Sequence, residues 1–387
     1  MKRVLHYIFI KICPFLFILG TLVIPLPLLA KIDNGPEVSV DTVKPKSNFV
    51  EKFTEITDLY GSLRFKAGGD FYGNFGITDQ TSSLGIKGRV PIIKGIDAIA
   101  QLEVGVNVVG NMTKIHFNGD PGGAVGEINN AFTSRLGWVG IETKYGSLTW
   151  GKQWSPYYDI GVMTDMFYGF GGNASGTYAA NTDGAVAGTG RSSNAFQYRL
   201  KTTWVNVALQ VQNRTLTDSS GGYADTYGGS VLFKSPVGLK AGVSYIKVRD
   251  GIVYPNLYEP KVGDESFIAG IMYDKDHWYI AVTYCNFTNH ERDDLGNYFT
   301  GFGIEFIAQD RFLKRWSVYG GLNYLQPKNE SVAGEYRLSY LDVGSNFTFG
   351  KTSCIFIEMV LSNSMQHDGT PYRRSGIAFG MYFNFGY

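Results

Sequence analysis

The sequence predicts an all-β fold: a transmembrane antiparallel up-and-down β-barrel of sixteen strands, with a long third loop folded into the lumen. Three observations predict it. Apolar and polar residues alternate in segments of about ten or more residues, the length of a tilted strand crossing a bilayer. The connections between these segments alternate short and long. Aromatic residues make up 15% of the 387-residue chain, with 26 Phe and 25 Tyr against 6 Trp, yet beyond the N-terminal stretch no run is long and apolar enough for a membrane helix. In lipid every backbone polar group needs an internal partner, so a spanning sheet must close on itself.

The period of the pattern is that of strands. Ile96, Ala98, Ala100, Leu102, Val104, Val106 and Val108 share one parity, and Asp97, Gln101, Glu103 and Asn107 the other. Val205, Val207, Leu209 and Val211 likewise alternate with Asn206, Ala208, Gln210 and Gln212. Successive side chains of a strand point to opposite faces, so each segment has one apolar and one polar face. A soluble sandwich shares this pattern, but its strands run to about 5–6 residues.

Taken in order, the segments fall at 57–72, 80–93, 95–108, 130–143, 146–154, 191–201, 203–213, 223–234, 238–249, 264–274, 276–288, 297–308, 314–326, 334–349, 351–363 and 372–387. Short turns include Lys94-Gly95, Thr143–Gly146, Ser235–Gly238 and Gly350-Lys351; longer polar connections include Arg214–Gly222, Gly251–Gly263 and Met365–Tyr372. Strict alternation puts all turns on one rim and all loops on the other, an asymmetry of bacterial outer-membrane barrels. In the last segment Ile377, Phe379, Met381, Phe383, Phe385 and Tyr387 share a parity. Such a strand resembles the C-terminal signal read by the barrel-insertion machinery.

The N-terminus points to export. Lys2 and Arg3 precede an apolar stretch from Tyr7 to Leu29, and Ala30 is followed by Lys31 and Asp33. This is the layout of a signal peptide over residues 1–30; a membrane anchor is the alternative, against which Lys11, Pro25 and Pro27 argue. Residues 31–56 read as a polar extension and 57–387 as the barrel domain. Removing Lys2, Arg3 and Lys11 from the 35 basic residues leaves 32 against 34 acidic groups, so charge gives no argument for nucleic acid. Cys285 and Cys354 take the lumen parity on strands four places apart around the wall, too far for a disulfide, and are expected as free thiols.

Strand number bears on function. About eight strands leave a lumen filled with side chains, whereas sixteen to eighteen leave an aqueous channel. The Pro156–Gly190 connection is long enough to be functional. It is rich in small residues (Gly169, Gly171, Gly172, Ala174, Ser175, Gly176), contains no Lys or Arg, and carries Asp159, Asp165 and Asp183. With its flanks, residues 155–190, it is the candidate constriction.

Several stretches carry a resemblance: Asp58-Leu59-Tyr60-Gly61, Ser134-Arg135-Leu136-Gly137-Trp138, Tyr145 through Gln153, Thr164-Asp165-Met166, Phe170-Gly171-Gly172 and Arg191-Ser192-Ser193-Asn194. In order and spacing they resemble the general trimeric porins of Gram-negative outer membranes. The resemblance implies a cross-pore field in which Asp165 of the inserted loop faces basic Arg135 and Arg191, with Gln101 and Glu103 on the wall. It also implies a homotrimer latched by a second loop, here Asn111–Asn130. Lys152, on the outward parity, hints at a buried subunit contact. The chain departs from the family at Tyr168-Gly169, where Pro-Glu is usual, and at Ser62 and Ser83, where Lys and Arg are usual. Arg64, Lys66, Lys87, Arg89 and Arg199 share the lumen parity and could rebuild the field, so the sign of ion preference stays open.

The implied function is passive diffusion of ions and small hydrophilic solutes through a channel set in outer-membrane lipid and lipopolysaccharide. A substrate-selective channel for sugars or anions is the alternative. An enzyme would need converging catalytic groups, but His116, His277, His290 and His367 are scattered. An adhesin or surface-structural barrel is a further alternative that loop length alone does not exclude, although the loops outside Pro156–Gly190 are modest. GxxxxGK[ST], CxxC and HExxH patterns do not occur, so the expectation is no cofactor and no metal.

Overall fold

The computed structural model describes residues 56–71, 73, 75–109, 131–179, 182–213, 225–249, 264–372 and 375–386. The expected signal peptide, all but the last residue of the polar extension, the Asn111–Asn130 latch and Tyr387 lie outside the described residues.

The strands are β1 (Thr57–Asp70), β2 (Phe75–Asp79), β3 (Ser83–Ile93), β4 (Ile96–Val106), β5 (Phe132–Thr143), β6 (Gly146–Trp154), β7 (Arg191–Lys201), β8 (Val205–Gln212), β9 (Thr226–Lys234) and β10 (Leu239–Val248). They continue with β11 (Glu265–Lys275), β12 (Trp278–Arg292), β13 (Tyr298–Asp310), β14 (Trp316–Pro327), β15 (Leu338–Phe349), β16 (Ser353–Ser362), a small hairpin of β17 (Ser364–Met365) and β18 (Pro371–Tyr372), and β19 (Gly376–Phe385). Helix is confined to single turns, α1 (Tyr158–Gly161) and α2 (Glu330–Ala333), among the described residues. None is long enough to cross a membrane.

Each stave of the barrel pairs antiparallel with the next along the chain, and β19 pairs with β16 and returns to β1 from Gly61↔Phe385 to Asp70↔Gly376. The sheet therefore closes on itself as a sixteen-stave antiparallel barrel, because β2 and β3 form one stave against β1. Where the sequence suggests a continuous second strand at 80–93, the stave instead starts at Phe75 and breaks at Gln80–Ser82. There Thr81 has a φ of 62°, and the Ser82 hydroxyl accepts the Arg64 amide at 2.9 Å, so a side chain replaces a ladder bond. Strand β12 also runs on to Arg292, through an irregularity between Phe287 and Glu291.

The turns between β3 and β4, β5 and β6, β9 and β10, and β15 and β16 lie on one rim. Gly95, in the two-residue turn after β3, has a φ of 83°, which a glycine adopts without steric cost. The burial pattern is that of a barrel with a wet inside. Leu209 on β8 is 55% exposed while Gln210 is 3% exposed. Phe379 on β19 is 52% exposed while Ala378 is fully buried. Such an exposed apolar face suits lipid, and a one-residue slip of register would turn it inward.

Candidate functional site

Inside the barrel the two halves of the wall differ. Against β10–β16 and β19 lies the segment 155–179, whose Tyr157, Ile160, Met163, Phe167, Phe170 and Ala174 form one apolar cluster with inward residues such as Ile268, Ile307, Tyr340 and Val360. Two wall carboxylates collect the segment's backbone amides. Glu305 on β13 accepts from the amides of Ala174 at 2.8 Å and Ser175 at 2.9 Å and from the Thr164 hydroxyl at 2.6 Å. Glu358 on β16 accepts from the amides of Tyr168 at 2.9 Å, Gly169 at 3.0 Å and Phe170, and from the Tyr319 hydroxyl at 2.8 Å. Two carboxyl groups that each gather several donors, beside the apolar cluster, fix this segment to the wall. The approach is close: a Cβ on Gly303 would stand 1.9 Å from the Ala174 carbonyl oxygen.

The opposite half, β1 to β7, is basic. Arg135 is the extra residue of a β-bulge, since Glu103 pairs with Leu136 and Val104 with Ser134. Bulges re-aim side chains; here the Arg135 Nε donates to Glu103 at 2.5 Å. The other Glu103 oxygen accepts from the Tyr60 hydroxyl at 2.9 Å, which also accepts from the Gln101 amide. Lys87 sits over the Tyr60 ring at 4.7 Å and Arg64 over the Tyr382 ring at 4.7 Å. Arg64 also donates to the Ser62 hydroxyl at 2.7 Å; Ser62 and Ser83, both buried, face each other across β1 and β3. Lys66 donates to the Gly169 carbonyl at 2.7 Å, tying the basic half to the docked segment.

The three loop aspartates have different partners. Asp159 receives both oxygens' worth of hydrogen bonds from Arg199 at 2.8 Å. Asp183 pairs with Lys152 at 2.6 Å and, more loosely, with Arg191 at 3.7 Å. Asp165 accepts from the hydroxyls of Tyr158 at 2.8 Å and Tyr178 at 2.9 Å. Burial, and next the Asp165 charge, push both phenols well above their ordinary range, so they stay protonated and keep donating.

A family model for Gram-negative porins matches residues 57–309. The chain belongs to the Gram-negative porin family. The putative outer membrane porin NmpC of Escherichia coli K12 is 26% identical over 339 residues, covering 81% of this chain and 86% of that protein. Outer membrane porin PhoE of Enterobacter cloacae is 27% identical over 274 residues, covering 67% and 75%. The structure of Salmonella typhi OmpF with daunomycin aligns with a TM-score of 0.68 at 19% identity, covering 85% of this chain and 97% of that one, and shows the same fold. This porin is thus an outer-membrane channel for passive diffusion of solutes.

Of the residues singled out by sequence, the porin barrel gathers Arg135, Glu103, Gln101 and Lys87 around Tyr60 into one network, and Arg64 with Ser62 into another. Arg191 lies over the Trp154 ring at 5.3 Å and near Asp183, not beside Asp165. Arg89 bonds Asp97 and Glu142 near the short-turn rim, away from the loop. Lys152, expected on the outward face, has a partner within its own chain. Opposite Lys152 the ladder bulges on β7, where Ser193 and Asn194, the latter with a φ of 51°, face one residue of β6, and its partner Asp183 lies in the same chain. A cation against lipid costs about 2–4 kcal/mol at mid-membrane, and this one meets a carboxylate instead. Sequence reasoning missed Glu305 and Glu358. A lone acid on a face of Gly and apolar residues, as Glu305 is between Gly303 and Ile307, is the signal that could have found them. Both cysteines are free and buried; Cys285 donates to the Ala174 carbonyl at 3.1 Å.

Proposed function

We propose that this porin is a non-specific channel for ions and small hydrophilic solutes, narrowed by residues 155–190, and that it works as a homotrimer. The observation that carries the reading is the clamping of the loop by Glu305 and Glu358 against one half of the wall, opposite the basic half. A loop held at both ends and along its length gives a fixed aperture rather than a flap. Solutes are sorted there by size. Polar side chains on both sides order water and align polar solutes, which raises the barrier for apolar ones.

In this reading Asp165, Arg135, Arg191, Glu103, Gln101, Lys87, Arg64, Ser62, Ser83 and Gly169 line or frame the waist. The C-terminal strand is the element the insertion machinery reads, and lipopolysaccharide and outer-membrane lipid surround the apolar face. Three measurements test it. Reconstitution in planar bilayers should give ohmic steps, and liposome swelling should fall smoothly with sugar size. A sharp preference for one sugar among isomers of equal size would favour a substrate-selective channel instead. Sedimentation of the detergent-solubilised protein should give three chains per particle.

A further inference from the structure

We propose that the waist of this channel favours small anions over cations. The inference rests on the reading of the loop as the constriction and adds a sign to it. Arg64 and Lys87 project from the basic half with aromatic rings and a serine as partners, and neither has a carboxylate within ion-pair distance among the described residues.

The acids that could cancel them are committed elsewhere. Glu103 holds Arg135 and Tyr60. Asp97 and Glu142 hold Arg89. Asp159 holds Arg199, and Asp183 holds Lys152 and Arg191. Glu305, Asp342 and Glu358 are each at most 1% exposed. Glu305 and Glu358 are covered by the docked loop, and Asp342 bonds Asn323 beneath it. Asp58 stands opposite Lys87 in the ladder, but the ammonium turns to Tyr60 instead. That leaves Asp165, held by two phenols, as the loop's one carboxylate without a cationic partner among the described residues.

The tip of the loop reinforces the imbalance. Residues 166–182 contain no Asp or Glu. Tyr168 packs against Phe356 and Tyr382, each with ring centroids 5.4 Å away, so the surface facing Arg64 is aromatic rather than acidic. A narrow passage with low-dielectric walls focuses the field of such cations, and basic side chains lining a pore select anions. The solutes favoured share one chemistry: small, hydrated and negatively charged, such as chloride, phosphate or a short carboxylate.

The test is the reversal potential of the full-length protein in planar bilayers under a tenfold KCl gradient. The wild type should reverse on the chloride side. Lys87 is exposed, so Lys87→Gln should fold normally and lower the chloride-to-potassium permeability ratio by about twofold. Arg64→Gln should lower it further, and Asp165→Asn should raise it. Ohmic channels that reverse on the potassium side, or a ratio unmoved by Lys87→Gln, would overturn the anion preference while leaving the diffusion reading intact. Absence of any ohmic step would sink both.

Discussion

At the scale of single residues, the loop's aspartates show how one residue type takes two jobs. Asp159 and Asp183 are ion-paired struts, whereas Asp165 is held only by neutral donors and keeps its charge available. An exposed phenol titrates near 10, and burial raises both Tyr158 and Tyr178 above that. The sign follows. The unfolded loop loses these protons first as pH rises, so their contribution to docking is full below about pH 10 and declines above it. Selectivity measured from pH 7 to 9 should therefore be flat, with current noise growing only at higher pH. Tyr158→Phe with Tyr178→Phe should strip Asp165 of both donors and broaden the distribution of single-channel conductances. An unchanged, narrow distribution would show that the phenols do not hold Asp165 in place. Parity put Glu103 and Gln101 on one polar face, whereas Arg135, a bulge residue, was singled out by the family resemblance alone. The sequence hid Tyr60, Tyr158 and Tyr178 as hydrogen-bond partners, since nothing in an aromatic-rich chain separates a tyrosine that donates from one that merely packs.

At the scale of elements, the long loop behaves as a part bolted to the wall. Its amides meet Glu305 and Glu358 across more than a hundred residues of sequence, which is why the sequence gives no hint of the pairing. Glu358→Gln should loosen the tip by weakening hydrogen bonds to three successive amides. Conductance should become larger and noisier without loss of the barrel. Gly303→Ala tests the same contact by steric means, since the added methyl would overlap the Ala174 carbonyl. Both variants should admit larger sugars in a swelling assay. If neither changes the size cut-off, the loop does not set it. The irregularities also belong to this scale. Alternation fixed the bounds of β6 and β7, at 146–154 and 191–201, because each runs between unambiguous turns. It failed at Gln80–Ser82, where a serine hydroxyl stands in for a backbone partner, a substitution invisible to periodicity.

At the scale of the whole molecule, the barrel was legible because two independent patterns agree: strand parity and the alternation of turn lengths. The docking of the loop on one half of the lumen was not, since it depends on which wall carries the buried acids. Closure rests on β19 lying between β16 and β1. Deleting residues 376–386 should therefore abolish the compact, heat-modifiable band that a sealed barrel gives on SDS gels; a truncated chain that still migrated as folded would contradict this seam.

That seam also orders events in time. The first strand made and the last strand made must meet, so the cylinder cannot be finished while its tail is still being synthesised or exported. Until then both borders of the sheet carry unsatisfied amides and carbonyls, an invitation to aggregate. Closure is accordingly slow, because its defining contact joins residues more than three hundred positions apart.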